Sequence, residues 1–222
     1  MQNHLTELVF ILDRSGSMSG LESDTIGGFN AMLKKQQGEP GECRITTVLF
    51  DGEYEILHDR LNLKEVNSIT EQEYFVRGNT ALLDAIGKTL HKISHAQKQS
   101  KPEYSADKVL VVIITDGMEN ASREYSYDQV KSKIELQKSQ SGWEFIFLGA
   151  NIDAVAIAER FGIERSRAQN FHNDRQGVEL NYRVVSEAIT NFRTTRKGVM
   201  FNEEWNAEIE ADFQGRGDRN QL

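Results

Sequence analysis

Apolar residues in this chain gather into short unbroken runs, separated by longer stretches in which they recur every three or four positions. The first run, Leu8 to Leu12 (Leu-Val-Phe-Ile-Leu), reads as a strand covered on both faces. Leu21, Ile26, Phe29 and Leu33 then share one face of a helix predicted over 20–36. Arg44 to Phe50 and Tyr54 to Leu57 read as two strands, and the Asp51-Gly52 between them predicts an antiparallel hairpin. No period governs 62–77. A helix opens at Thr80, with Leu83, Ile86, Leu90 and Ile93 on its buried face and Asn79 or Thr80 as its cap. The polar segment 97–106, with Pro102, is predicted to be a surface loop. Val109 to Thr115 is the most strand-like run of all. Beyond it the pattern predicts a helix over Tyr127 to Gln140 and a strand over Trp143 to Leu148. A short helix over Ile152 to Phe161 follows, ended by Gly162; then come an edge strand over Ala168 to Phe171 and a helix over Gly177 to Thr195.

Strands that alternate with helices imply right-handed crossovers. The predicted fold is therefore an α/β three-layer sandwich: a mostly parallel central sheet with one antiparallel edge strand and helices on both faces. The pattern fails after Gly198. Residues 1–197 are expected to form the domain. Residues 198–222 are expected to form a polar, mobile tail in which Trp205, Ile209 and Phe213 stand isolated, with at most one short amphipathic piece.

Composition narrows the function classes. With 38% apolar residues, 27% charged residues and 2 prolines in 222, the chain is of the globular type. No apolar run approaches the roughly 18 residues of a membrane span. The start, Met1 to Glu7, has neither a basic segment nor a cleavage site, which predicts a cytoplasmic protein without a signal peptide. The single cysteine, Cys43, excludes an internal disulfide framework and a Cys-based zinc cage. It is expected to be a buried small hydrophobe. A net charge of −8 disfavours nucleic-acid binding and favours a cation, or a partner with basic patches.

In doubly wound sheets ligands bind at the carboxyl ends of the strands. Directly after the first apolar run comes Asp13-Arg14-Ser15-Gly16-Ser17, after Val109 to Thr115 comes Asp116-Gly117, and ahead of the helix at Leu82 comes Gly78-Asn79-Thr80. Two carboxylates (Asp13, Asp116) and three hydroxyls (Ser15, Ser17, Thr80) thus share one sheet edge. They are hard oxygen donors, suited to Mg²⁺ or Mn²⁺, with Ca²⁺ a further option. The two carboxylates neutralise a dication. Neutral hydroxyls leave it electrophilic, so that an open position would attract an Asp or Glu of a partner protein.

Asp13-Arg14-Ser15-Gly16-Ser17, Gly78-Asn79-Thr80-Ala81-Leu82 and Ile114-Thr115-Asp116-Gly117 together resemble the von Willebrand factor type A domain and its metal-ion-dependent adhesion site. The resemblance spans about residues 5–195. It implies a Rossmann-like sheet that binds protein ligands through Mg²⁺ held by Asp13, Ser15, Ser17, Thr80 and Asp116. The runs Thr25 to Asn30 and Thr80 to Ile86 look like a bacterial and phage branch of single-domain intracellular members. Around the metal, Arg14, Asp51, Asn79, Met118 and Glu119 are expected to form the rim that meets the partner, with Asn120 beside them.

Each residue alone has a plainer reading: a turn for Asp116-Gly117, a helix cap for Thr80, loop or capping roles for Ser15 and Ser17. Their joint occurrence favours a ligand set. Gly27 and Gly28 inside a helix suggest a close approach to the sheet. Asp84 is divided between supporting the site and favouring its helix N-terminus. His91 and His95, four apart, are read as a solvated face, and Arg216-Gly217-Asp218 as a chance tripeptide. Capping of a neighbour's metal by Glu203, Glu204, Glu210 or Asp218 is a weaker expectation. No catalytic residue and no organic cofactor is expected.

A Mg²⁺-dependent phosphohydrolase is the alternative. An aspartyl-phosphate enzyme would place a second Asp where Ser15 stands, and Asp116-Gly117-Met118-Glu119 fits its later acidic pair poorly. No phosphate-binding GxxxxGK[ST] and no Ser-His-Asp set is evident. A ribonucleoprotein component is a third reading, opposed by the net charge.

Overall fold

The computed structural model describes residues 5–101, 104–196, 202 and 204–217. The first apolar run lies in β1 (Thr6–Asp13), buried along its whole length. Successive side chains of a strand point to opposite faces, and this run serves two cores. Leu8, Phe10 and Leu12 join one; Val9 and Ile11 join the other. The hairpin β2 (Cys43–Phe50) and β3 (Tyr54–Asn62) is antiparallel, as Asp51-Gly52 predicts. β4 (Lys108–Thr115), β5 (Glu144–Gly149) and β6 (Ala168–Asn170) complete a six-stranded sheet of order β3-β2-β1-β4-β5-β6, parallel except at β3. The three-layer α/β sandwich expected from the pattern is the observed fold.

One face of the sheet carries α1 (Glu22–Gly38) and α5 (Arg175–Thr194). The other carries α2 (Leu82–Gln99), α3 (Tyr127–Ser141) and α4 (Ala154–Arg160). The chain runs outward from β1 to β2 and β3 on one side, and from β4 to β5 and β6 on the other. The order therefore reverses between β1 and β4, and the loops after these two strands part there and leave a crevice.

Segment 62–77 is aperiodic because polar contacts hold it. After a 3-10 turn at Leu63–Glu65, Asn30 of α1 brackets Ile69 through both backbone groups, at 2.8 and 2.9 Å. The glycines of α1 differ from expectation. A Cβ at Gly28 would lie 2.4 Å from the Tyr182 ring of α5, so the close approach is helix to helix, not helix to sheet, and a Cβ at Gly27 would meet nothing within 4 Å.

The stretch read as a tail contains a sixth helix, α6 (Ala207–Arg216), packed against α5 and β6. Ile209 is 1% exposed and Trp205 8%, both within the core on the α1 and α5 face. The Trp205 indole donates to the Ser166 carbonyl at 2.8 Å, and Gln169 of β6 binds Asn206 and Glu210 at 2.7 and 2.6 Å. Two apolar anchors on a short polar helix leave little periodicity to read. His4, Pro102, Gly198, Glu203 and Asp218 lie outside the described residues. Cys43 is buried, and burial pushes its thiol up to about 12.

Two substitutions in α1 should move stability in opposite directions. Gly28→Ala should cost about 1–3 kcal/mol by overpacking Tyr182, and Gly27→Ala should add about 0.5–1 kcal/mol by restricting the unfolded chain. Urea unfolding of both variants measures this; equal effects would contradict it. Ile209→Ala should cost about 2–5 kcal/mol in the same assay, whereas a change below about 0.5 kcal/mol, usual for a surface position, would show that α6 is not docked.

Candidate functional site

The five residues singled out by their positions after apolar runs meet at the β1/β4 reversal. Asp13 is the last residue of β1, and Asp116 follows the last residue of β4. Ser15 and Ser17 lie in the loop after β1, which tightens into a 3-10 turn at Gly16–Met18. Thr80 arrives from the segment before α2. The Thr80 hydroxyl donates to Ser15 Oγ at 3.0 Å, Ser15 Oγ lies 3.0 Å from Ser17 Oγ, and Ser17 donates to Asp116 Oδ1 in a very short contact. Asp13 accepts from the Ser15 amide at 2.7 Å and from the Thr115 hydroxyl at 2.5 Å. Five side chains from three separate stretches thus form one continuous oxygen cluster.

Glycines let the backbones come this close. A Cβ at Gly117 would stand 2.9 Å from Ser17 Oγ and 3.1 Å from Thr80 Oγ1, filling the space between the two hydroxyls. Gly78 takes the left-handed conformation, φ +67°, and its carbonyl accepts from the Gly16 amide at 3.1 Å.

Thr80 is not the cap of α2. The cap position is Ala81, whose side chain makes no capping bond. Instead Glu119 and Ser122 reach across, accepting from the amides of Leu83 and Asp84 at 2.9 and 3.0 Å. Asp84 returns the contact, accepting from the amides of Arg123, Glu124 and Tyr125 at 2.9 Å each. Relieved of capping, the Thr80 hydroxyl is turned into the cluster. Asp84 is thereby a fastener between α2 and the 119–125 loop.

The electrostatics are uncompensated. Asp13 and Asp116 are both buried, and among the described residues neither has an ion pair. Burial raises both carboxyls above the ordinary carboxylate range, Asp116 to about 6, against the opposing hydrogen bonds from Ser15 and Thr115 to Asp13 and from Ser17 to Asp116. Two acids held this way favour a cation between them. The donor set is all oxygen. No group of three or more His, Cys, Asp or Glu occurs among the described residues, so the carboxylates here are supplemented only by hydroxyls. That composition fits a hard divalent ion.

The expected rim divides in two. Met118, 69% exposed, and the exposed Asn79 stand at the edge as predicted. Arg14 does not: its guanidinium is 0% exposed, bound to Asp51 at 3.0 Å and Glu55 at 2.7 Å. Asp51 is buried too, holding Arg77 at 2.7 Å as well as Arg14. These side chains tie the loop after β1, the β2–β3 turn and the segment before α2 into one unit, and they do not face a partner. Glu119 is likewise occupied by amides, and the Asn120 side chain accepts from the Thr80 amide at 2.9 Å.

Three contributors escape sequence reading. Thr115 hides in a strand run. Tyr74, fully buried, donates from its hydroxyl to the Asp13 carbonyl at 2.6 Å from within the aperiodic segment. Asn173 donates to Asp116 Oδ2 at 3.2 Å from the loop before α5. The exposed His91 and His95 stack ring to ring, and Arg216 is engaged with Asp174 and Asp212.

A doubly wound sheet with an acidic, hydroxyl-lined crevice at its topological switch point defines a class of α/β binding domain. Residues 7–181 match the von Willebrand factor type A domain, and the chain belongs to that family. No curated protein sequence matches it. Similar solved structures include manganese-loaded TRAP protein of Plasmodium vivax, at 16% identity and TM-score 0.55, covering 81% of this chain and 72% of that one. The ArnB paralog VWA2 of Sulfolobus acidocaldarius aligns at 21% identity and TM-score 0.52, covering 83% and 45%. Proximal thread matrix protein 1 of the mussel byssus, with a zinc-occupied MIDAS motif, aligns at 11% and 0.55, covering 83% and 46%. The chain thus spans about half the length of the latter two, and at these identities the likeness is one of fold.

Capping and site roles can be separated by mutation. Glu119→Ala should cost about 1–2 kcal/mol by exposing the first turn of α2, while Thr80→Ala should change stability by about 1 kcal/mol or less. Chemical denaturation of the two variants checks this, and the reverse order would restore Thr80 as the cap.

Proposed function

We propose that this domain is a metal-dependent protein-interaction module, in which Asp13, Ser15, Ser17, Thr80 and Asp116 hold a divalent cation, Mg²⁺ by preference, with Mn²⁺ or Ca²⁺ as substitutes. The observation that carries the reading is the pair of buried carboxylates with no basic partner among the described residues, bridged by hydroxyls that have no capping duty. The family supports it, as do the manganese and zinc in the two relatives whose names record them. When bound, the cation supplies an electrophile for an Asp or Glu carboxylate of a partner protein.

The chain's own residues do the rest. Asp13 and Asp116 would balance the charge, and Ser15, Ser17 and Thr80 would provide oxygen without further charge, so the ion would not be over-neutralised and an open position on it would stay electrophilic. The Arg14–Asp51–Arg77 cluster fixes the loops before any ligand arrives, which lowers the ordering cost of binding. Apolar contact area stands ready beside the oxygens. Met118 is 69% exposed on one loop and Phe75 42% exposed on another, the latter lying under the guanidiniums of Arg14 and Arg77.

This mechanism assigns the chain no covalent step. The position two residues after Asp13 is Ser15, whose hydroxyl belongs to the Thr80–Ser15–Ser17 chain and offers no general acid. The net charge of −8 disfavours nucleic acid as the partner. Among the described residues no helix is long and apolar enough to cross a membrane. The likeness of the runs Thr25 to Asn30 and Thr80 to Ile86 to the bacterial and phage branch makes cytoplasmic action part of this proposal.

Titration calorimetry with Mn²⁺ should show one site, lost in Asp13→Ala and in the Ser15/Ser17 double Ala variant. By linkage, Mn²⁺ at about 100 times its Kd should add about 2.7 kcal/mol to stability. A wild-type chain that takes up no Mg²⁺ or Mn²⁺, or an Asp13→Ala chain that binds as well as wild type, would refute the proposal.

A further inference from the structure

The wall of the site on the β6 side is Asn173, in the loop joining β6 to α5. Its Nδ2 donates to Asp116 Oδ2 at 3.2 Å, while Ser17 occupies Oδ1 of the same carboxylate. Asp116 is therefore gripped from two sides, by the loop after β1 and by the loop after β6. The other end of the Asn173 amide is the informative one. Its Oδ1 is buried and makes no hydrogen bond among the described residues. A buried polar atom left without a partner is costly, and native structures seldom tolerate one without a ligand or water to fill its place. Because the amide is planar, fixing Nδ2 on Asp116 also restricts where Oδ1 can lie.

The loop is held firmly enough for this to matter. The Phe171 amide donates to the Gly149 carbonyl at 3.0 Å, and Asn170 accepts from the Ala154 amide at 2.8 Å. Asp174 caps α5 through the Gly177 amide at 2.9 Å and is itself held by Arg216 of α6 at 2.6 Å. Gly177 is required, since a Cβ there would stand 2.1 Å from the His172 carbonyl oxygen. Beyond the loop opens a cavity of about 1260 Å³, lined by Asn173 together with Met118, Asn151, Ile152, His172 and Phe213, so Asn173 stands between that cavity and the buried Asp116.

We infer that Asn173 is a positioning residue of the cation site: its Nδ2 orients Asp116, and its Oδ1 accepts a hydrogen bond from water in the ion's outer shell. The inference rests on the cation reading above and adds a sixth residue, from a loop that none of the sequence motifs touches. It also gives α6 a part in the site, because Arg216 anchors the loop that carries Asn173. Outer-shell partners of this kind typically contribute about 10–100-fold to metal affinity.

The test is Mn²⁺ titration calorimetry on the full chain, paired with thermal unfolding with and without Mn²⁺, for wild type, Asn173→Ala and Asn173→Asp. Asn173→Ala should bind Mn²⁺ about 10-fold more weakly and show a smaller metal-induced rise in Tm. Asn173→Asp should have a lower metal-free Tm, since its carboxylate would face Asp116. A merely structural asparagine would lower both Tm values together and leave Kd unchanged, and that result overturns the inference while leaving the five-residue site intact. A wild-type chain that takes up no Mn²⁺ overturns both. Should Asn173→Ala fail to fold, Asn173→Ser, also too short to reach Asp116, decides alone: Mn²⁺ affinity about 10-fold below wild type supports the role, and unchanged affinity overturns it.

Discussion

Two carboxylates buried at the ends of the central strands, with no arginine or lysine among the described residues to neutralise them, are the constraint around which this domain is arranged. Desolvating an acid is expensive, and the fold offsets the cost for Asp13 and Asp116 only in part, with hydrogen bonds from Ser15, Thr115, Ser17 and Asn173. The nearest cations are spent elsewhere. Arg14, adjacent to Asp13 in sequence, is turned away into Asp51 and Glu55. A chain that buries an arginine beside an aspartate and does not pair the two keeps that aspartate available for another positive charge.

The sheet order makes such a place possible. Reversal between β1 and β4 separates the loops that follow them, and the covering helices pack below without closing the crevice. What fixes the loops is polar and reciprocal. Glu119 and Ser122 cap α2 while Asp84 of α2 fastens the loop that bears them, and Asp51 links two arginines from different segments. Preorganisation of this kind lets neutral hydroxyls, weak ligands one by one, act as a set.

Much of this was legible in the chain. The four inner strands announced themselves as apolar runs, and the residues that matter most stand immediately after two of those runs, where strand ends must lie. Direction was not legible. Arg14 and Glu119 sit one and three residues from the nearest site residues yet point into the structure, because adjacency in sequence does not say which way a side chain turns in an irregular loop. Tyr74 lies in a segment whose order comes from Asn30 and not from periodicity. α6 has Ile209, and Trp205 just before it, as its buried apolar anchors, and their burial depends on α5 and β6 being already in place. Asn173 carries no local signal at all, since its role comes from a contact 57 positions distant.

The central claim is that a divalent cation belongs among these oxygens. Crystals of the chain grown in Mn²⁺ and measured at the manganese absorption edge test it most directly. The account predicts one strong anomalous peak bounded by Asp13, Ser15, Ser17, Thr80 and Asp116, with the Ser17–Asp116 contact relaxed to make room. Density showing the hydroxyl chain unbroken, with no anomalous signal between the two carboxylates, would contradict it.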